Sequence, residues 1–248
     1  MLTALVPAFN ETATIQELLR RVLSVDCVSA VVVVDDGSTD GTPELVAGIA
    51  AGEPRLQLVR QAANRGKGAA IRRGLQEVET PYVVVQDADL EYDPAALPAL
   101  LEAAVEAQYG VCFGSRYLRA DPSQPRRMMD TAVRGLNATV RMLYGVRLSD
   151  EATCLKLLPT DLLRALNLKC ERFEFCPEVV AKLCRAGIGI VERPITYRPR
   201  SVAEGKKLRL HDGREALATL WRYRRWEPNG KVRAWKAERE RGPALRSA

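Results

Sequence analysis

At 248 residues, 47% of them apolar and 27% charged, the chain is long enough for one large α/β domain or a domain with an appendage. No apolar run approaches the ~20 residues that a membrane-spanning helix needs. The net charge of +6 is uneven, with fifteen Lys/Arg against six Asp/Glu in residues 195–248, so an anionic partner (phosphate, membrane surface or nucleic acid) is expected at that end.

Residues 2–6 read as a first strand. Ile15, Leu18, Leu19 and Val22 follow with the i, i+3, i+4, i+7 spacing of an amphipathic helix. Residues 30–34 form a second strand, apolar throughout and so expected to be buried on both faces. Thr42-Pro43-Glu44 opens a capped helix. A short third strand is expected over 56–59, a helix over 67–78 and a fourth strand over 82–86. Asp93-Pro94 starts a helix to about residue 108, and 111–113 is a further strand. Beyond it, 128–144 reads as helix, 154–158 as extended and 177–186 as helix. Short strands are expected at 188–191 and 195–197, a basic loop at 198–208 and a helix at 213–226. From Glu227 onward the chain is polar, with little to bury beyond Val232 and Trp235.

This βαβα alternation predicts a parallel sheet with helices on both faces, and ligands gather outside the carboxyl ends of such strands. The polar clusters at 7–11, 35–40 and 87–91 each follow a strand directly, which predicts that they share one rim. The stretch Tyr82-Val83-Val84-Val85-Gln86-Asp87-Ala88-Asp89-Leu90-Glu91 carries the most chemistry. If the chain stays extended, Asp87 and Asp89 project to the same side. With Glu91 they make an all-oxygen, acidic site suited to Mg²⁺ or Mn²⁺. The six cysteines have no C-x-x-C spacing and His211 is the single histidine. Reduced, mostly buried thiols are therefore expected rather than a zinc site. The N-terminus lacks a basic region and reaches Pro7 too early for a signal peptide, so the cytosol is the expected compartment.

Four motifs in order, Val6-Pro7-Ala8-Phe9-Asn10-Glu11, Val34-Asp35-Asp36-Gly37-Ser38-Thr39-Asp40-Gly41-Thr42, Asn64-Arg65-Gly66-Lys67-Gly68 and Gln86-Asp87-Ala88-Asp89, strongly resemble the family 2 glycosyltransferases. The resemblance covers roughly the first 120 residues. It implies the GT-A fold, a Rossmann-like, mostly parallel sheet flanked by helices. Gly114-Ser115-Arg116-Tyr117 and Arg200-x-x-x-Glu204-Gly205-Lys206 resemble the dolichol-phosphate mannosyltransferase branch, which moves a sugar from a nucleotide sugar to a polyprenyl phosphate. A domain over 1–212 is then expected, followed by a basic, aromatic-containing helix and polar tail over 213–248.

The resemblance assigns donor binding to Pro7, Phe9, Glu11, Val34, Asp36, Lys67, Asp87, Ala88, Asp89, Arg116, Arg200 and Lys206. It assigns the metal, Mg²⁺ or Mn²⁺, to Asp87, Asp89 and Glu91. Catalysis falls to Asp87, Asp89, Arg116 and Asp150, and the acceptor to Arg126 and Arg200, arginine gripping phosphate through paired donors. The glycines around Lys67 do not form a P-loop and serve either a tight strand-to-helix entry or donor contact. Asp130 stands where the branch often has serine, and a carboxylate there repels phosphate. Cys154 replaces the glycine of a D-x-x-[ST]-G-F element that begins at Asp150. Glu178 matches a segment in which Glu174 and Cys176 are substituted.

The expected activity is transfer of a hexose, with mannose from GDP-mannose as the leading candidate, to a polyprenyl phosphate. Trp221-Arg222-Tyr223-Arg224-Arg225-Trp226 would touch an anionic membrane on its cytoplasmic face, with Trp221 itself packed on the domain. No nucleic-acid motif accompanies it. Two alternatives stand beside this reading. A sugar-hydroxyl acceptor would need Asp150 or Glu178 as general base. A non-catalytic nucleotide-sugar-binding protein would not turn over.

Overall fold

The computed structural model describes residues 1–118, 128–200 and 210–241. Arg126 and Lys206 lie outside the described residues, as do the side chains of Asp130 and His211. The elements in order are β1 (Leu2–Ala8), α1 (Ile15–Leu23), β2 (Val28–Asp35), α2 (Thr42–Ala50), β3 (Leu56–Arg60), α3 (Lys67–Gly74) and β4 (Tyr82–Val85). A 3₁₀ turn (Pro94–Ala96) then leads into α4 (Leu97–Glu106), β5 (Cys112–Ser115), α5 (Met128–Tyr144), β6 (Lys156–Pro159), α6 (Thr160–Ala165) and α7 (Phe175–Ala186). The chain continues through β7 (Val191–Pro194), α8 (Leu210–Tyr223) and α9 (Gly230–Arg241).

The seven strands form one sheet in the order β3-β2-β1-β4-β6-β5-β7. Val31 to Val34 of β2 are all buried, as are Tyr82 to Val85 of β4, so the sheet's centre is covered on both faces. Ile15, Leu18, Leu19 and Val22 of α1 are fully buried along the stripe that their spacing predicts. The crossovers β1-α1-β2 and β2-α2-β3 step one way along the sheet, whereas β3-α3-β4 steps back. Right-handed connections therefore set α3 on the face opposite α1 and α2.

The sheet is parallel except at β6, which runs antiparallel to both β4 and β5. This one reversal within the mostly parallel sheet assembles the site. Strands β1, β2, β3 and β4 end on one rim, and β5 and β7 point the same way. The reversed β6 begins on that rim. The loop after β5 (Arg116), the loop before β6 (Asp150, Cys154) and the chain after β7 (Arg200) all converge there.

Other departures are local. Helix α3 stops at Gly74, where an added Cβ would lie 2.4 Å from Leu5 and 2.6 Å from Val34, so glycine lets the helix settle onto the sheet. The two strands expected around Pro194 are one strand that ends on it, and Tyr197 keeps only a bridge to Tyr92. Helices α6 and α9 were not read from sequence. The first has six residues, and the second buries only Val232 and Trp235. All six cysteines are free, and Cys112, Cys154, Cys170 and Cys176 are buried. Among the described residues no helix is long and apolar enough to cross a membrane.

Candidate active site

Two loops on the rim are laced together by short polar side chains. Asn10, in the left-handed region at φ 52°, donates its backbone N–H to Ser38 Oγ at 2.9 Å and accepts from Thr39 N through Oδ1 at 2.9 Å. Asp40 accepts from Thr12 N and Oγ1 and from Thr42 N and Oγ1. Burial works against its charge, but these four donors hold its carboxyl down at about 2. Pro7 and Val34 face one another in register across β1 and β2, and Glu11 N donates to Thr42 Oγ1 at 2.9 Å. Beside this lacing lies an open cleft of about 500 Å³ lined by Asp35, Gly37, Ser38, Thr39, Arg60, Gln61 and Ala62. Arg60 and Gln61 escaped the sequence reading, although they stand at the carboxyl end of β3 as the other clusters do on their strands.

Asp36 is committed to the protein. Its carboxylate accepts from Gln61 Nε2 (2.7 Å), Arg65 N (2.9 Å) and Gly66 N (2.7 Å), which ties the end of β2 to the glycine loop. Burial nevertheless pushes its carboxyl up. The two suggested roles of the 64–68 loop separate by residue. Gly66 and Gly68 serve a close chain crossing, since an added Cβ would come within 2.5 Å of Glu171 O and 2.4 Å of Cys170 O respectively. Ala69 N donates across the same crossing to Glu171 O at 2.9 Å. Lys67 opens α3 and sends its ammonium to Asp87 Oδ1 at 2.5 Å and to the Cys154 sulfur. Burial opposes its charge, but the Asp87 carboxylate keeps it protonated.

The acidic stretch turns rather than staying extended. Leu90 sits at φ 60°, and Glu91 N donates to Asp89 Oδ1 at 3.1 Å. Ala88 is buried between the two aspartates. Asp87 faces Lys67, whereas Asp89 accepts from Arg200 Nη2 at 2.8 Å. The same guanidinium reaches Glu11 at 3.2 Å. The Glu91 oxygens accept from the Tyr197 hydroxyl and from Arg200 N, each at 2.8 Å. Among the described residues no three His, Cys, Asp or Glu side chains gather into a ready cage. Burial, then the charges of Asp87 and Glu91, push the Asp89 carboxyl up to about 6. Negative charge is thus crowded beyond what the protein's own cations relieve. Two carboxylates on an open rim fit a hard divalent ion that completes its shell with phosphate oxygens and water.

Arg116 and Asp150 form a fork-to-fork pair, Nε to Oδ2 at 2.7 Å and Nη2 to Oδ1 at 2.6 Å, and Arg116 N adds a third bond at 3.0 Å. Asp150 has no solvent exposure. Glu192 of β7 holds the segment by accepting from Ser149 N and Asp150 N. The Arg116 guanidinium also lies 5.0 Å from the ring centroid of Tyr197, whose ring is 5.2 Å from that of Tyr92. Tyr92 Oη accepts from Cys154 N at 3.4 Å. The two tyrosines thereby connect the three charged groupings, a link with no sequence signal beyond their nearness to the motifs. Glu178 is buried at the start of α7 and accepts from Lys169 N, Cys170 N and Lys182 Nζ. Burial works against its charge, but these partners lower its pKa overall.

The C-terminal aromatics divide differently from expectation. Tyr223 and Trp226 are half-buried over the Lys182 ammonium, at 4.9 and 5.5 Å. Trp221, expected to pack inward, is 56% exposed, because it falls on the side of α8 away from α5 and α7.

Sheet order, the reversed β6 and an acidic rim define a GT-A fold. Glucosyl-3-phosphoglycerate synthase from Mycobacterium tuberculosis, solved in complex with UDP, superposes with a TM-score of 0.70 over 93% of this chain and 82% of that one, at 22% identity. Residues 3–166 match the Glycosyl transferase family 2 model, and the chain belongs to that family. It is 32% identical over 216 residues to the undecaprenyl-phosphate 4-deoxy-4-formamido-L-arabinose transferase of Aeromonas hydrophila subsp. hydrophila, covering 85% of this chain and 64% of that protein. It is 30% identical to the undecaprenyl-phosphate mannosyltransferase of Micrococcus luteus, covering 82% of this chain and 85% of that protein. Against glycosyltransferase AglD of Haloferax volcanii, 26% identical, it spans 37% of the relative's length. The chain thus spans less than two thirds of several curated relatives that it matches.

Proposed function

We propose that this protein is an inverting glycosyltransferase that moves a hexose from a nucleotide sugar to a polyprenyl phosphate, with mannose from GDP-mannose as the first donor to test. The observation that carries the acceptor assignment is the closure of both candidate general bases. A sugar hydroxyl must lose a proton as it attacks. Asp150 has both oxygens on Arg116, and Glu178 is buried against Lys182 and two backbone N–H groups. A phosphate acceptor arrives ionised and needs no base. It needs cations to gather two phosphate groups in line, and Arg200 stands on the rim beside Asp89. The names of the Aeromonas and Micrococcus relatives point to the same acceptor class.

In this reading the cleft beside Ser38 and Gln61 takes the nucleoside, and the diphosphate extends towards Asp87 and Asp89. These two aspartates would hold Mg²⁺ or Mn²⁺, which when bound neutralises charge on the leaving diphosphate. Lys67 fixes Asp87, and Arg200 shifts from Asp89 and Glu11 towards the substrate phosphates. A single in-line displacement inverts the anomeric centre. The protein would work peripherally at the cytoplasmic face of an anionic membrane. Incubation with Mg²⁺, labelled nucleotide sugars and polyprenyl phosphate is expected to carry label into the organic phase. Absence of transfer from every donor would sink the lipid-phosphate assignment.

A further inference from the structure

The outward side of α8 has a composition that its burial does not explain. Arg214, Leu217, Trp221, Arg222 and, one turn on, Arg225 are all exposed and follow helical spacing, an apolar centre with cations at both ends. Leu217 is 43% and Trp221 56% exposed, and the Arg224 guanidinium lies 3.8 Å from the Trp221 ring centroid. Helix α5 packs beside α8, and the Tyr144 hydroxyl donates to Leu220 O at 2.6 Å. Met142, two residues before Tyr144 on α5, is 75% exposed. Among the described side chains of α5, the exposed charged residues are Arg134 and Arg141. On α8, Asp212 is buried and Glu215 half-buried, so no described acidic residue stands on the outward side of either helix.

We infer that the outward face of α8, centred on Leu217 and Trp221, docks on an anionic lipid bilayer. Large exposed apolar side chains, Leu217 and a Trp221 ring covered on one side by Arg224, fit headgroup depth, and the surrounding arginines complement acidic lipid. The face also stands beside the site. Asn137, midway along α5, donates to Ser149 O at 2.7 Å and accepts from Glu151 N at 2.9 Å, so α5 lies against the segment that carries Asp150. Docking there brings the Arg116–Asp150 end of the rim to the membrane, where a lipid-borne phosphate would enter. The surface rests on the lipid-acceptor reading for its purpose and not for its detection.

The test is co-sedimentation of the full chain with phosphatidylcholine vesicles, with and without phosphatidylglycerol. Binding is expected only with the acidic lipid. It should fall roughly tenfold or more in Leu217→Ser/Trp221→Ser and in Arg222→Glu/Arg225→Glu, with unchanged thermal melts. Transfer to a short, water-soluble isoprenyl phosphate should stay at the wild-type level in both variants. Unchanged vesicle binding in the variants overturns the inference. So does a dimer that the Leu217→Ser/Trp221→Ser exchange dissociates, which would give the face to a second copy of the chain. A protein that binds vesicles through this face yet glycosylates no isoprenyl phosphate would sink the acceptor reading and leave the docking face standing.

Discussion

Asp150 gives both carboxylate oxygens to the Arg116 guanidinium, at 2.6 and 2.7 Å, from a position without solvent exposure. The pair is a positioning device, since an arginine so gripped cannot rotate away. Asp150→Asn keeps the shape but leaves a nearly buried cation unpaired. Stability is expected to drop by about 3–5 kcal/mol in a denaturant titration. Transfer to a phosphate acceptor should drop on the order of 100-fold as Arg116 loses its orientation. Wild-type activity in a folded Asp150→Asn protein would remove Arg116 from the reaction.

Glu178→Gln separates the two acceptor classes. The carboxylate anchors residues 169 and 170 and balances Lys182, which is 2% exposed. The exchange is expected to cost about 3 kcal/mol of stability. Activity per folded molecule should stay within about twofold, whereas loss of a general base costs roughly 100-fold or more. Kinetics normalised to the folded fraction decide between them.

A pair of glycine exchanges checks the chain crossing. In Gly68→Ala the new methyl meets Cys170 O at 2.4 Å, a backbone atom that cannot turn aside, so a loss of about 1–3 kcal/mol is expected. Gly48, inside α2, has nothing within 4 Å of its would-be Cβ. Gly48→Ala should stabilise by about 0.5–1 kcal/mol. Opposite shifts in thermal midpoint are the expected signature.

The contrast between these positions shows what the sequence could reveal. The β1, β2 and β4 motifs were legible because each polar cluster follows an apolar run, and a parallel sheet brings such ends together. The direction of β6 was not, since a four-residue Lys-Leu-Leu-Pro segment carries no sign of orientation. The ion pairs Arg116–Asp150 and Arg200–Asp89 bridge distant chain segments, and the first depends on that reversal. Glu91 was legible as part of the acidic stretch, but its bonds from Tyr197 and Arg200, which follow the left-handed turn at Leu90, were not. Asp36 was legible at the end of β2, but its bonds from the N–H groups of Arg65 and Gly66 were not.

Metal removal bears directly on Asp87 and Asp89. A chelator should abolish transfer, and Mg²⁺ or Mn²⁺ should restore it. Asp89→Asn is expected to weaken Mn²⁺ binding roughly tenfold or more with a nucleoside diphosphate present, as read by calorimetry or paramagnetic resonance. Equal Mn²⁺ affinity in the wild type and Asp89→Asn would place the ion elsewhere.

Glu151 predicts a pH dependence of stability. It is fully buried, neither carboxylate oxygen has a hydrogen-bond partner, and burial drives its carboxyl up to about 8 against the pull of Lys156. Between the ordinary carboxylate range and about pH 8, the folded protein holds a proton that the unfolded chain has released. Stability must then fall as pH rises through that window. Glu151→Gln removes the ionisation and keeps the shape. The variant should match the wild type near pH 4–5 and exceed it increasingly up to pH 8, in denaturation midpoints measured across that range. Comparing the two proteins isolates Glu151 from Asp89, which also titrates there. A stability gap that does not change with pH would mean that Glu151 ionises normally and has a partner in solution.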